Sequence, residues 1–193
     1  NLTWIVDYNR QSLDGHRITN RQIMDGTDDM RIERTAVANG WEVIQVRHGR
    51  KRLAAFEKPE GQLLRELLEQ GFDDYEFQSL LQTKDHKALE ESFLKKEPKL
   101  KKLLSTLKDG QLREILLDMG GHDMAQLIAA MEASKKSKRK PTLIIAHTIK
   151  GWGLQCMAVS GNHSTLPDEA EIDALREAQG VPESRPEAAP PEV

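Results

Sequence analysis

Apolar residues recur along this chain in two rhythms. Leu2-Thr3-Trp4-Ile5-Val6, Trp41-Glu42-Val43-Ile44-Gln45-Val46 and Thr142-Leu143-Ile144-Ile145-Ala146 are short runs rich in β-branched and aromatic residues, and they predict strands. The first run lacks strict alternation, which suits a strand covered on both faces. It ends in the polar segment Asp7 to Gln11, followed by the turn signal Asp14-Gly15. Residues 31–38 predict a short helix stopped by Asn39-Gly40, a good helix-terminal pair. A helix between two such strands predicts a parallel βαβ arrangement.

From Gly61 to Met131 the spacing becomes helical. Leu63, Leu64, Leu67 and Leu68 mark one face, closed by Gln70-Gly71; Phe77, Leu80 and Leu81 mark the next, and Leu89 and Phe93 another. Pro98 predicts the start of a helix carrying Leu100, Leu103, Leu104 and Leu107. Leu112, Ile115 and Leu116 precede Gly120-Gly121, and Met124, Leu127, Ile128 and Met131 form a further stripe. Such leucine-rich stripes are packing faces, so this reads as a helical insert carrying little chemistry. The basic run Ser134 to Lys140 lies between a helix and a strand and reads as a solvated loop. Residues 168–178 predict a last short helix with Leu175 on its buried side. The Pro-, Glu- and Ala-rich tail, 182–193, has the composition of a disordered segment.

The expectation is an α/β chain: a parallel sheet flanked by helices, with the insert at about 61–131 inside a body spanning 1–165 and a short helical segment over 166–181. Three strands and about seven helices are too few strands for a complete doubly wound sheet. The chain also opens one residue before a strand and without Met. Both features predict a piece cut from a longer protein.

Composition narrows the function. In 193 residues, 38% are hydrophobic and 31% charged, and 28 basic against 31 acidic residues give a net charge of -3. No general polyanion-binding surface follows, so nucleic acid is not an expected partner. No apolar run approaches the roughly 18–20 residues of a membrane span. The single cysteine, Cys156, excludes a disulfide framework or a cysteine-based metal cluster within one chain. With no visible export signal, it suits a cytoplasmic location.

Candidate chemistry lies at the strand-to-loop switches, because open α/β sheets bind ligands beyond the carboxyl ends of their strands. Two stand out, Asp7 to Gln11 and His147 to Gly153. Asn9 is either a turn former or an oxygen ligand, and Gln11 offers a further oxygen from backbone or side chain; such hard ligands suit Mg²⁺ or Ca²⁺. Lys150 is either an ordinary surface lysine or a contact for an anionic substrate or phosphate. His122, His147 and His163 form no zinc motif, and Asp123 reads as a helix cap. There is no nucleophile elbow, Walker loop or dinucleotide fingerprint.

Taken together, N-L-x-x-I-V-D-Y-N-R-Q-S-L-D-G at the start, G-W-E-V-I-Q-V near residue 40, G-G-H-D at 120–123 and A-H-T-I-K-G-W-G at 146–153 resemble the homodimeric type of pyruvate dehydrogenase E1 component. That family consists of thiamin diphosphate enzymes related to transketolase. The resemblance covers roughly residues 1–165, and its first and last segments are the specific ones. It implies thiamin diphosphate and Mg²⁺ as cofactors, with Asn9 and the Gln11 backbone carbonyl as metal ligands. It places Lys150 at the substrate end of the cofactor and His163 near a mobile-loop histidine linked to acetylation of the lipoyl partner. It implies pyruvate as substrate, the dihydrolipoyl acetyltransferase E2 as partner, and the rest of an E1 chain with its homodimer mate. The family's G-D-G half of the metal motif does not occur in these residues; the resemblance places it before Asn1. The pyrimidine-binding domain with its activating glutamate is missing too, so these residues alone are expected to be inactive. A transketolase-like enzyme on sugar phosphates, and a non-catalytic split or degenerate paralogue, stay open as alternatives.

Overall fold

A computed structural model describes residues 2–12, 15–16, 27–137 and 139–181. Three parallel strands, β1 (Thr3–Tyr8), β4 (Glu42–Val46) and β5 (Thr142–His147), form a sheet in the order β1-β5-β4. Between β1 and β4 lie a two-residue antiparallel pair, β2 (Gln11–Ser12) with β3 (Gly15–His16), and helix α1 (Asp28–Ala38). Helices α2 (Arg50–Phe56), α3 (Gly61–Glu66), α4 (Asp74–Gln82), α5 (His86–Lys96), α6 (Lys101–Leu104), α7 (Gln111–Leu117) and α8 (Met124–Lys136) separate β4 from β5, and α9 (Glu169–Ala178) follows.

β5 is central because its run of apolar residues can be covered on both faces, and every residue in it is buried. On one face Leu143 and Ile145 pack with Tyr8, Val6 and Val43 under Ile32 and Ala36 of α1. On the other, Ile144 and Val46 pack against Leu127 and Ala130 of α8. The insert has its own core, in which Phe77, Phe93, Leu64, Leu100 and Leu116 are fully buried. Side chains of this size contribute about 1.5–3 kcal/mol each on burial, so the insert is held by packing.

Several expectations need correction. Among the described residues β1 is an edge strand and is not covered on both faces: Trp4 is 59% exposed and Ile5 44% exposed. Its apolar run suits a parallel neighbour, and among those residues β5 supplies one on a single side. A groove of about 540 Å³ opens beside it between Trp4, Ile32, Trp41 and Leu143. β1 also runs on through Asp7 and Tyr8, and β5 through His147, because register with the neighbouring strand continues past the apolar residues. The basic run is in part helical: Ser134, Lys135 and Lys136 end α8, where cations favour the helix dipole. The helix α2 was not expected; its seven residues carry three cations, and Arg52 is nevertheless buried. Nine α-helices are present among the described residues, against about seven expected. Leu175 is half-buried and α9 has no fully buried residue. Asp14 of the turn signal and the tail 182–193 lie outside the described residues.

Candidate functional site

The carboxyl ends of β1 and β5 lie side by side, and both loops of interest leave from there. Tyr8 pairs with His147 in the register, and the Thr148 N–H donates to the Tyr8 carbonyl at 3.1 Å. The Thr148 hydroxyl donates to the Asp7 carboxylate. The two loops therefore start as one wall.

After β1 the chain turns tightly. The Gln11 N–H donates to Asn9 Oδ1 at 2.9 Å, an Asx turn that fixes the amide oxygen in direction. An amide oxygen keeps a second lone pair after one such bond. Between them Arg10 has φ +60°, left-handed backbone that a non-glycine residue adopts at a cost. Its side chain is buried, with the guanidinium 4.2 Å above the Phe77 ring and Nε 3.6 Å from Asp74 Oδ1. Gln11 Nε2 donates to the Val159 carbonyl at 3.3 Å, while Gln11 Oε1 is buried with no hydrogen-bond partner among the described residues.

After β5 the loop folds back on itself. The Ala158 N–H donates to the Lys150 carbonyl at 3.0 Å, and Asn162 Nδ2 donates to the carbonyls of Lys150 at 3.2 Å and Cys156 at 2.9 Å. Gln82 Nε2 of α4 donates to the Ala158 carbonyl at 2.7 Å. Ile149 and Ala158 are buried in the insert's core, so the helical insert is the floor on which this loop rests. Lys150 Nζ stands 3.4 Å from Nδ1 of the exposed His163.

The G-G-H-D segment wedges beneath these ends. A Cβ on Gly120 would lie 2.7 Å from the Val46 carbonyl oxygen, and one on Gly121 would lie 2.5 Å from that of His147. Only glycine lets this turn approach both strand ends, and the approach puts His122 where its Nε2 accepts the Ile149 N–H at 2.8 Å. The His122 ring stacks on Trp152 at 4.8 Å. Burial pushes its pKa below that of free imidazole, with Asp7 pulling the other way. Asp123 caps α8 as expected, accepting the Ala125 N–H, and also binds Arg50 of α2.

The structure thus brings the four expected site residues together as two pairs, Asn9 with Gln11 and Lys150 with His163, on loops bridged by the Gln11–Val159 hydrogen bond. Sequence reasoning did not point to Arg10, Gln78, Gln82 or Asn162, which hold those loops. No local signal marks Arg10, Gln78 or Gln82, because their partners lie far off in the chain, while Asn162 holds carbonyls 6 and 12 positions before it at no regular helix or strand spacing. Among the described residues no group of three His, Cys, Asp or Glu is placed to hold a metal. Asn9 Oδ1 and the unpartnered Gln11 Oε1 show oxygen donors of the hard type that Mg²⁺ takes.

Open α/β sheets bind ligands beyond the carboxyl ends of their strands, and both loops leave this sheet there. The family described as transketolase, thiamine diphosphate binding domain, matches residues 84–193, and the chain belongs to that family. That match takes in Lys150 and His163; Asn9 and Gln11 lie outside it. The chain is 32% identical to the pyruvate dehydrogenase E1 component of Corynebacterium glutamicum over 186 residues, 94% of this chain and 19% of that protein. It is 30% identical to the protein of the same name from Escherichia coli K12 over 177 residues, 91% of this chain and 19% of the relative. With that of Cupriavidus necator it shares 32% over 181 residues, 91% of this chain and 18% of the relative. The chain therefore spans about a fifth of the length of the curated relatives it matches. No helix among the described residues is long and apolar enough to cross a membrane.

Proposed function

We propose that this chain forms the diphosphate-holding wall of a thiamin diphosphate-dependent E1 enzyme that oxidatively decarboxylates pyruvate and passes the acetyl group to the lipoyl group of an E2 partner. The observation that carries the reading is the bridge from Gln11 to the Val159 carbonyl, which sets the oxygen turn and the Lys150 loop on one surface. The relatives' names favour pyruvate over a sugar phosphate.

In this reading Asn9 Oδ1 and an oxygen of Gln11 hold Mg²⁺ against the two phosphates, since hard oxygen ligands suit that ion. Thiamin diphosphate, when bound, supplies the carbanion nucleophile and the electron sink for loss of CO₂. Lys150 sets a cation beside the pyruvate carboxylate, and His163, within reach of Lys150, faces the incoming lipoyl group. The floor of packed leucines beneath the loop keeps water from this side of the site. The remaining metal ligand and the pyrimidine-activating glutamate come from the rest of a larger E1 chain and its homodimer mate, so these residues alone are inactive. The working location is the cytoplasm.

Titration calorimetry of the full polypeptide with thiamin diphosphate, with and without Mg²⁺, tests this. Metal-dependent cofactor binding that Asn9→Ala removes is the expected result. Cofactor binding indifferent to metal would sink the reading.

A further inference from the structure

The helical insert carries leucine stripes that read as packing alone, yet one face of α4 is turned toward the oxygen turn. Asp74, Phe77 and Gln78 stand at helical spacing i, i+3 and i+4, and all three are buried at 1% exposure or less. Each meets the turn. Gln78 Nε2 donates to the Asn9 carbonyl at 3.1 Å, Asp74 faces Arg10 Nε at 3.6 Å, and the Arg10 guanidinium lies on the Phe77 ring. The start of α4 is fixed by a capping box, in which Asp73 Oδ1 accepts the Glu76 N–H at 2.7 Å and Glu76 Oε2 accepts the Asp73 N–H at 3.0 Å. The helix therefore presents this face at a set height and angle.

We propose that Gln78, with Arg10 clamped on Asp74 and Phe77, is a positioning residue for the metal: it holds the Asn9 carbonyl, and so aims the ligand oxygens of Asn9 and Gln11. This rests on the reading above that these two residues bind Mg²⁺. The left-handed φ of Arg10 supports it, because strained backbone persists where surrounding contacts over-determine it, and here α4 supplies those contacts. The state of the Gln78 amide supports it as well. Its Oε1 is buried with no hydrogen-bond partner among the described residues, so as packing it is a poorer choice than an apolar side chain of equal volume. What the glutamine does that a leucine or methionine cannot is grip Asn9. One turn further on, Gln82 grips the Ala158 carbonyl of the Lys150 loop in the same way. Partners that orient metal ligands typically change metal affinity 10–100-fold when removed.

The test is the Mg²⁺ concentration that half-saturates thiamin diphosphate binding to the full polypeptide, read by calorimetry, in wild type, Gln78→Met, Arg10→Lys and Gln82→Met. We expect a rise of tenfold or more for Gln78→Met and a smaller rise for Arg10→Lys, which keeps the charge for Asp74 and loses the planar stack on Phe77. Gln82→Met, which loosens the loop at Ala158 and not the Asn9 carbonyl, should raise the Mg²⁺ requirement less than Gln78→Met does. Ca²⁺, which tolerates irregular geometry better than Mg²⁺, should lose less in Gln78→Met, a signature that general loosening of the fold would not give. Wild-type Mg²⁺ requirements in folded Gln78→Met and Arg10→Lys would overturn the inference; if Gln78→Met does not fold, Arg10→Lys decides it alone. Should Asn9→Ala abolish metal dependence while those variants keep it, the metal reading stands and this inference falls. Should wild type itself show no metal dependence, it is the metal reading that fails.

Discussion

His122 Nε2 accepts the Ile149 N–H at 2.8 Å, joining the G-G-H-D turn to the first buried residue of the loop that carries Lys150. An accepting Nε2 leaves the ring proton on Nδ1, so the contact needs neutral imidazole, and burial of the ring favours that form. Replacing it with leucine strands a buried donor, which costs about 1–3 kcal/mol. We expect His122→Leu to speed amide exchange across residues 149–159 while β5 stays protected. Unchanged exchange in that loop would show that Gln82 and Asn162 suffice to hold it.

The G-G-H-D glycines predict a second, sharper result. An alanine at Gly121 drives its Cβ to 2.5 Å from the His147 carbonyl oxygen, a backbone atom that cannot swing aside. Overpacking of this kind costs typically 1–3 kcal/mol. Gly161 has nothing within 4 Å of the added Cβ, and its penalty is limited to a φ of +81°. Thermal unfolding of the two alanine variants should therefore rank Gly121→Ala below Gly161→Ala. The reverse order would mean that the G-G-H-D turn can draw back from the end of β5 to admit the methyl group.

What was legible in the sequence follows from how local each signal is. β5 could be read from Leu143-Ile144-Ile145 because a central parallel strand needs only apolar residues. The cap at Asp123 and the stop at Asn39-Gly40 were readable because a cap acts within a few residues of itself. The exposure of Trp4 was not, since an apolar strand looks the same whether it has one neighbour or two. Placing Lys135 and Lys136 in a loop mistook a favourable helix end for a break in the helix. At the site, Asn9 and Lys150 stood out by their strand ends. Their supports, Gln78 and Gln82, sit 69 and 76 positions from what they hold, where no spacing rule reaches.

Buried histidines set the response to acid. Burial, with Arg10 and Arg47 nearby, holds the His147 pKa well below the free value of 6.5, and burial lowers that of His48 despite its bond to Glu69. The unfolded chain then takes up protons first, so stability is full above about pH 6.5 and falls as pH drops below it. Glu69 acts in a lower window: bonds from His48 and Arg65 hold it at about 2 against an ordinary 4.5, so its contribution is lost between those values. Unfolding midpoints should decline from pH 7.5 to pH 5.5 and more steeply below pH 4.5. His147→Gln, which removes one titrating ring, should flatten the first decline. Equal midpoints at pH 7.5 and 5.5 would contradict the assignment of neutral buried rings.

Lys150 and His163 can be separated by what each is placed to touch. On the proposed reading Lys150 balances the substrate carboxylate and developing negative charge, and losing such a donor lowers turnover on the order of 10²-fold. In the full polypeptide Lys150→Ala should then lower pyruvate turnover far more than thiamin diphosphate affinity, because that reading gives the phosphates to the oxygen turn after β1 and its Mg²⁺. His163 is exposed and 3.4 Å from Lys150, and on the same reading it meets the lipoyl arm. His163→Ala should therefore spare decarboxylation measured with an artificial electron acceptor and slow acetyl transfer to lipoyl. Equal loss of turnover and cofactor affinity in Lys150→Ala would instead place its ammonium on the diphosphate, and the Lys150 loop would then belong to cofactor binding.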